Sequence, residues 1–263
     1  RNLRNILEAD VDDNTIKDVA ERIGDAQEVL KSKQFPFRFL SAYRELKTVC
    51  NGKVPIIMDS LEDAVQASAQ NIKGFSKETR VLLACDVSGS MYTPISPKSS
   101  VKNYDIGLVL AMLLRNRCEN VVTGIFGDIW KAVAMPLRGI LSNVEQMYKH
   151  EGEVGYSTNG YKVIEYLRNK NIQMDKVMMF TDCQMWNSYG SGQTIQSEWK
   201  KYKEIAPKAK LYLFDLNGYG QSPLNLADND VVLIAGWSDR VFDMLDAIEQ
   251  GGNVLAKIKE IEL

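Results

Sequence analysis

Through residue 76 the apolar positions recur at helical spacing only. Ile16, Val19, Ala20 and Ile23 fall on one face of a helix over 14–23, and Gly24 breaks the pattern. Ala26 to Leu30 begins another short helical turn. Pro36 suits a first helical turn and opens a helix over 37–49, with Phe39, Leu40, Tyr43 and Leu46 on one side. Ser60-Leu61-Glu62-Asp63 has the form of a capping box and predicts a helix from there to about Asn71. Helices in succession without a strand predict an α-helical layer or a fragment of helical repeats, although no repeat period emerges over so short a stretch.

Near Thr79 the pattern changes. Val81-Leu82-Leu83-Ala84-Cys85 is a continuous apolar run ending in a polar turn, the mark of a strand buried on both faces. Similar runs follow at 121–126, 177–180, 211–214 and 231–235. Helical stretches lie between them: 104–115, apolar almost all round; one capped by Ser142-x-x-Glu145; 159–168; and 196–205. A helix starting at Ser238 and a last one over 254–261, separated by Gly251-Gly252, close the chain. Strands alternating with helices predict an α/β fold with a mostly parallel, Rossmann-like sheet flanked by helices. The expected division is a short all-α segment over 1–76 and an α/β domain over 77–263. Such sheets place their sites beyond the carboxyl ends of the strands.

Bulk properties narrow the function classes. The 263 residues are 45% hydrophobic and 25% charged, with a formal net charge of −2. That composition supports a sizeable core, and the charge gives no general support for phosphate neutralisation by a basic surface. No run approaches the roughly 20 apolar residues needed to cross a bilayer, so no membrane role is expected. Arg1-Asn2-Leu3-Arg4-Asn5 leads into an amphipathic helix, not a signal peptide's apolar stretch. The chain lacks an initiator methionine and is expected to be a piece of something longer. Cys50, Cys85, Cys118 and Cys183 form no C-x-x-C pair, which suggests a reduced, cytoplasmic protein.

The first strand ends in Asp86-Val87-Ser88-Gly89-Ser90-Met91. Three short oxygen side chains at alternate positions, with Gly89 permitting a tight turn, suit a hard divalent cation that wants small oxygen ligands at roughly 2.0–2.6 Å. Two further oxygens fall where the same sheet edge should bring them. Thr158 lies in the polar loop Gly155-Tyr156-Ser157-Thr158-Asn159-Gly160, and Asp182 follows the strand ending in Thr181. Other readings stay open for each: a serine capping a backbone amide, or Thr158 as the N-cap of the helix after it.

The D-x-S-x-S at residues 86–90, the loop threonine and the later Thr-Asp resemble the metal-ion-dependent adhesion site of von Willebrand factor A domains. The resemblance implies that Ser88, Ser90 and Thr158 coordinate the cation. Asp86 and Asp182 would hold it directly or through water, leaving one position open for an anionic oxygen. It implies one divalent cation, with Mg²⁺ expected and Mn²⁺ or Ca²⁺ as alternatives. Three stretches (1–7, 35–44 and 82–91) together resemble the end of a TROVE module running into its A domain, as in the Ro autoantigen family. Those proteins are rings of helical repeats, closed by an A domain, that bind small non-coding RNAs. A complete ring needs many more helices than residues 1–76 supply. The implied partners are therefore a small non-coding RNA for the full-length parent, or an acidic protein ligand at the metal with no RNA role.

Other candidates divide evenly or lean toward structure. Trp186 and Tyr189, after Asp182, would either stack on a bound partner or pack their own loop. Lys200, Lys201, Lys203, Lys208 and Lys210 form the most basic stretch, but Glu198 and Glu204 interrupt it, and a solvated face is the simpler reading. Asp128 and Asp215 end apolar runs near the same edge, with supporting or surface roles both open. Enzyme readings fare poorly. His150 is the sole histidine, there is no G-x-S-x-G and no phosphate-cradling glycine motif, and an aspartyl nucleophile would have Ser88 where its second acid belongs. The expected protein is not an enzyme.

Overall fold

The computed structural model describes residues 2–9, 11–32, 34, 36–69, 75–97, 99–184, 193–220, 222–226, 230–238 and 241–249. Trp186, Tyr189 and the expected terminal helix over 254–261 lie outside the described residues. The chain forms two compact units: Arg1–Ser76 with residues 139–142 and those from Ser238 onward, and Lys77–Arg138 with Asn143–Trp237.

The first unit opens with α1 (Asn2–Glu8), α2 (Asp13–Gly24), α3 (Ala26–Ser32), α4 (Pro36–Leu46) and α5 (Val54–Ala69). Helix α5 is its centre: α2, α3 and α4 all pack against it, and α1 packs on α4. Ile16, Leu40, Ile57, Ala64 and Val65 are fully buried there. Asp12 caps α2 by accepting from the amides of Asn14 and Thr15 at 2.9 and 3.0 Å. The capping-box expectation at Ser60 is corrected. Helix α5 starts six residues earlier, with Pro55 in its first turn, so Ser60 sits mid-helix and its hydroxyl donates to the Ile56 carbonyl at 3.0 Å. The apolar run Val54 to Ile57 carries helical spacing across the point where the polar box suggested a start.

The second unit holds a six-stranded sheet in the order β3-β2-β1-β4-β5-β6. Its elements along the chain are β1 (Val81–Asp86), α6 (Asn103–Arg117), β2 (Val121–Phe126), β3 (Trp130–Ala132), α7 (Ile140–Tyr148, whose first three residues group with the first unit), α8 (Tyr161–Asn169), β4 (Lys176–Thr181), α9 (Ile195–Ile205), β5 (Lys210–Asp215) and β6 (Val231–Ala235). Every pairing is parallel except β2 with β3, so the fold is α/β with a mostly parallel sheet. Strand β3 has no counterpart among the expected strands; three residues at a sheet edge are too short for a periodic signal. Helix α7 begins at Ile140, which puts Ser142 inside it, with its hydroxyl on the Gly139 carbonyl at 3.2 Å. A last described helix, α10 (Val241–Glu249), groups by contacts with the first unit.

The continuous apolar runs are explained by burial on both faces. Leu82, Ala84, Val177, Met179, Leu211 and Leu213 point into one core with α8 and α9. The alternate residues face the other way, where α6 lies so close that a Cβ on Gly107 would stand 3.1 Å from that of Phe180. Helix α6 is buried from Asn103 to Leu114, which is why its sequence reads apolar all round. Chain order runs outward from β1 to β2 in one direction and from β4 to β6 in the other. The switch point therefore falls between β1 and β4, beyond whose carboxyl ends an open α/β sheet binds its ligand.

Candidate metal centre

Asp86 ends β1 and Asp182 follows β4 directly, so the two neighbouring strands deliver both carboxylates to the switch point. Both are buried, Asp86 at 0% and Asp182 at 1% exposure. Asp86 is held at both oxygens: Oδ1 accepts from the Ser88 amide at 2.8 Å and Oδ2 from the Thr181 hydroxyl at 2.6 Å. Thr181 in turn accepts from the Cys183 amide at 3.1 Å, which fixes its hydroxyl proton toward Asp86. Burial pushes the Asp86 carboxyl up to about 7, with the Asp182 charge adding to the rise, against the hydrogen bonds from Thr181 and Ser88. Two buried carboxylates, with the charge of Asp182 opposing ionisation of Asp86, concentrate negative charge that a cation would offset.

The serines follow in the turn after β1. Ser88 is buried and precedes a short 3₁₀ turn, Gly89–Tyr92, without capping it through its side chain. Its Oγ lies 3.3 Å from that of Ser90. Adjacent ligands on an octahedron with bonds of about 2.1–2.4 Å stand about 3.0–3.4 Å apart, so the two hydroxyls fit neighbouring positions on one ion. The role given to Gly89 is corrected: it has no positive φ, and a Cβ there would meet nothing within 4 Å.

Thr158 is buried at 3% exposure, and the alternative reading of it as a helix cap is not met: Gly160 holds the N-cap position of α8. Its loop is docked on two sides. The Tyr156 carbonyl accepts from the Gly89 amide at 3.2 Å, and the Asn159 amide donates to the Gly127 carbonyl at 3.0 Å. Asp128 completes the docking by accepting from the Ser157 amide at 3.0 Å, and the Ser157 side chain, followed by that amide, holds its carboxyl below the ordinary range. Gly155 is required here. Its φ is +73°, and a Cβ would come within 2.0 Å of Asp128 Oδ2. Asp128 thus shapes the loop that carries Thr158.

Asp215, the other open candidate, is buried and accepts from the Gly218 and Gly220 amides at 3.0 and 2.7 Å, folding the loop after β5. That loop presents Asn217, whose amide lies 3.5 Å from Asp182 Oδ2. Neither Thr181 nor Asn217 stood out in sequence as a site residue. Thr181 was signalled only by its place before Asp182, and Asn217 by nothing local.

Among the described residues, no three His, Cys, Asp or Glu side chains gather as a metal site. The donors at the switch point are two carboxylates with hydroxyls, a set for a hard cation and not for zinc or copper. The described lysines of the basic stretch are partly engaged elsewhere: Lys201 pairs with Glu198 at 2.7 Å and Lys203 with Asp230 at 2.8 Å.

Compared with known protein families, residues 80–248 match the Ro60 vWA domain and residues 1–80 the TROVE domain. No curated protein sequence matches the chain. Among solved structures, the Deinococcus radiodurans Ro (RSR) protein aligns with a TM-score of 0.68 at 20% identity, over 95% of this chain and 52% of that one. The chain thus spans about half the length of that protein, and the likeness is one of fold. An aerotolerance-related membrane protein from Bacteroides fragilis, a variant with multiple mutations to serines, aligns at a TM-score of 0.38 and 14% identity, over 70% of this chain and 96% of that one, and carries no argument. With a TROVE segment leading directly into a Ro60-type A domain that covers most of its length, this chain belongs to the Ro/TROVE family.

Proposed function

We propose that this chain is the closing part of a Ro-like protein that binds small non-coding RNA, and that its A domain holds one divalent cation through Asp86, Ser88, Ser90, Thr158 and Asp182. The observation that carries the metal assignment is the meeting of two buried carboxylates and the paired serine hydroxyls at the sheet's switch point. The RNA assignment rests on the order of the two family matches along the chain. A Mg²⁺ ion held there would supply a Lewis-acidic contact for an anionic oxygen of a partner. Thr181 and the Ser88 amide orient Asp86, while Asp128 and Gly155 shape the loop of Thr158. Most RNA contact would fall to helical repeats, of which residues 1–76 are the last. The role is ligand capture and not catalysis. Burial raises the thiols of Cys85, Cys118 and Cys183, which suits them to packing and makes poor nucleophiles of them. Four unpaired cysteines fit a reducing cytoplasm.

A second reading is a protein-interaction module with an acidic partner at the metal and no RNA role. The near-neutral charge favours it for this chain by itself. Gel-shift titration of the full-length parent protein with a structured small RNA, with and without EDTA, separates the two. Saturable binding supports the first reading. No RNA binding, together with capture of a glutamate-bearing peptide that EDTA or Asp86→Ala abolishes, supports the second and overturns the first.

A further inference from the structure

Each metal carboxylate in this site has a polar side chain holding it from behind. For Asp86 that side chain is Thr181. For Asp182 the corresponding group comes from the loop after β5. Asp182 Oδ1 accepts from the Gln184 amide at 3.2 Å, and Oδ2 faces the Asn217 side-chain amide at 3.5 Å. Resting on the metal assignment above, we propose that Asn217 is a positioning residue for the cation, setting the orientation of Asp182.

The chemistry of the amide fixes its direction. An ionised carboxylate only accepts hydrogen bonds, so Asn217 must turn its NH₂ toward Asp182 and its oxygen away. The oxygen then meets the side-chain NH₂ of Asn103, the first residue of α6, with which it is hydrogen-bonded. Asn103 is buried at 5% exposure. The same Asn217 NH₂ also reaches the Tyr219 hydroxyl at 3.4 Å, so one amide group faces three partners. The placement is built by the loop, since Asp215 gathers the amides of Gly218 and Gly220 on either side of Tyr219. An amide whose oxygen is engaged by a buried donor is pre-oriented, and the Asp182 carboxylate has less freedom to turn away from a bound ion. Groups in this position, one bond behind a metal ligand, typically change affinity by about 10- to 100-fold when removed.

The test is Mn²⁺ titration followed by electron paramagnetic resonance, using the protein itself and the metal alone. Asn217→Leu, close in shape but without polar atoms, should raise the Mn²⁺ Kd at least tenfold while the melting temperature in EDTA stays near that of wild type. Asn217→Gln, which keeps the amide, should recover part of the loss. Asn103→Ala should weaken Mn²⁺ binding in wild type and have no further effect beside Asn217→Leu, because both act through one hydrogen bond. Should Asn217→Leu prove too unstable to assay, Asn103→Ala alone carries the test. A wild-type Mn²⁺ Kd in both variants, with Asp182→Ala abolishing binding, overturns the role of Asn217 and leaves the metal site intact. A wild-type protein that binds no Mn²⁺ overturns the site and this inference together.

Discussion

Charge balance at the switch point predicts that Asp86→Asn changes sign with metal. In EDTA, wild type buries both Asp86 and Asp182, and burial together with the charge of Asp182 opposes ionisation of Asp86. Asparagine keeps one side-chain oxygen to accept from Thr181 or the Ser88 amide and removes the like charge, so stability in EDTA should hold or rise. In Mg²⁺ the balance reverses, because the ion stabilises only a folded state that binds it. At 100 times the dissociation constant that linkage is worth about 2.7 kcal/mol. A domain of roughly 150–250 residues gains about 2–4 °C per kcal/mol, so wild type should melt about 5–11 °C higher in saturating Mg²⁺ than in EDTA. Asp86→Asn should lose that increment, and Ser88→Ala/Ser90→Ala should lose most of it, since the hydroxyls 3.3 Å apart are two of the predicted ligands. Differential scanning calorimetry in matched ionic strength reads all three, with Ca²⁺ and Mn²⁺ as parallel arms. A wild-type shift below about 1 °C with every ion, or an equal shift in the double-serine variant, would refute the reasoning.

Three further outcomes follow from the same packing. Glu198 has a fully buried side chain between Arg168 Nε at 2.9 Å and Lys201 Nζ at 2.7 Å. Desolvation is the largest influence on it and acts upward, but the two cations hold its carboxyl below the ordinary range. Its contribution is therefore complete above the usual glutamate pKa of about 4.3 and fades as pH falls through the lower folded value; urea melts should show Glu198→Gln costing about 1–3 kcal/mol at pH 7 and less in acid. Gly155→Ala should cost about 1–3 kcal/mol and weaken Mn²⁺ binding, because the +73° φ and the 2.0 Å approach to Asp128 disturb the Thr158 loop; unchanged melting and affinity would contradict that account. Finally, a thiol reagent should modify Cys50 quickly in the native protein and all four cysteines only after unfolding, since Cys85, Cys118 and Cys183 are buried. Rapid modification of more than one native thiol would contradict the packing of β1, of the end of α6 or of the turn after Asp182.

What could be read from the residues, and what could not, divides along physical lines. Parallel strands buried on both faces write themselves as unbroken apolar runs, so all five of the longer strands were legible. Because such strands run the same way, the residues ending them must share an edge; Asp86 and Asp182 could be paired across 95 intervening positions without knowing any contact. Register does not enter that inference, only direction. Capping was less legible. Ser60 and Ser142 carry the right neighbours for helix starts, yet each is overrun by apolar spacing that begins earlier, and burial of that spacing outweighs a single surface hydrogen bond. Asn217 was illegible for a different reason. Its place opposite Asp182 depends on how Asp215 folds the following loop and on α6 starting at Asn103, two facts separated by more than a hundred residues. The carboxylates proposed as ligands can be read from strand ends, because backbone direction places them. The groups proposed to aim them are set by loop closure, which leaves no period in a sequence, and that is why perturbing Asn217 tests a placement that strand ends alone do not predict.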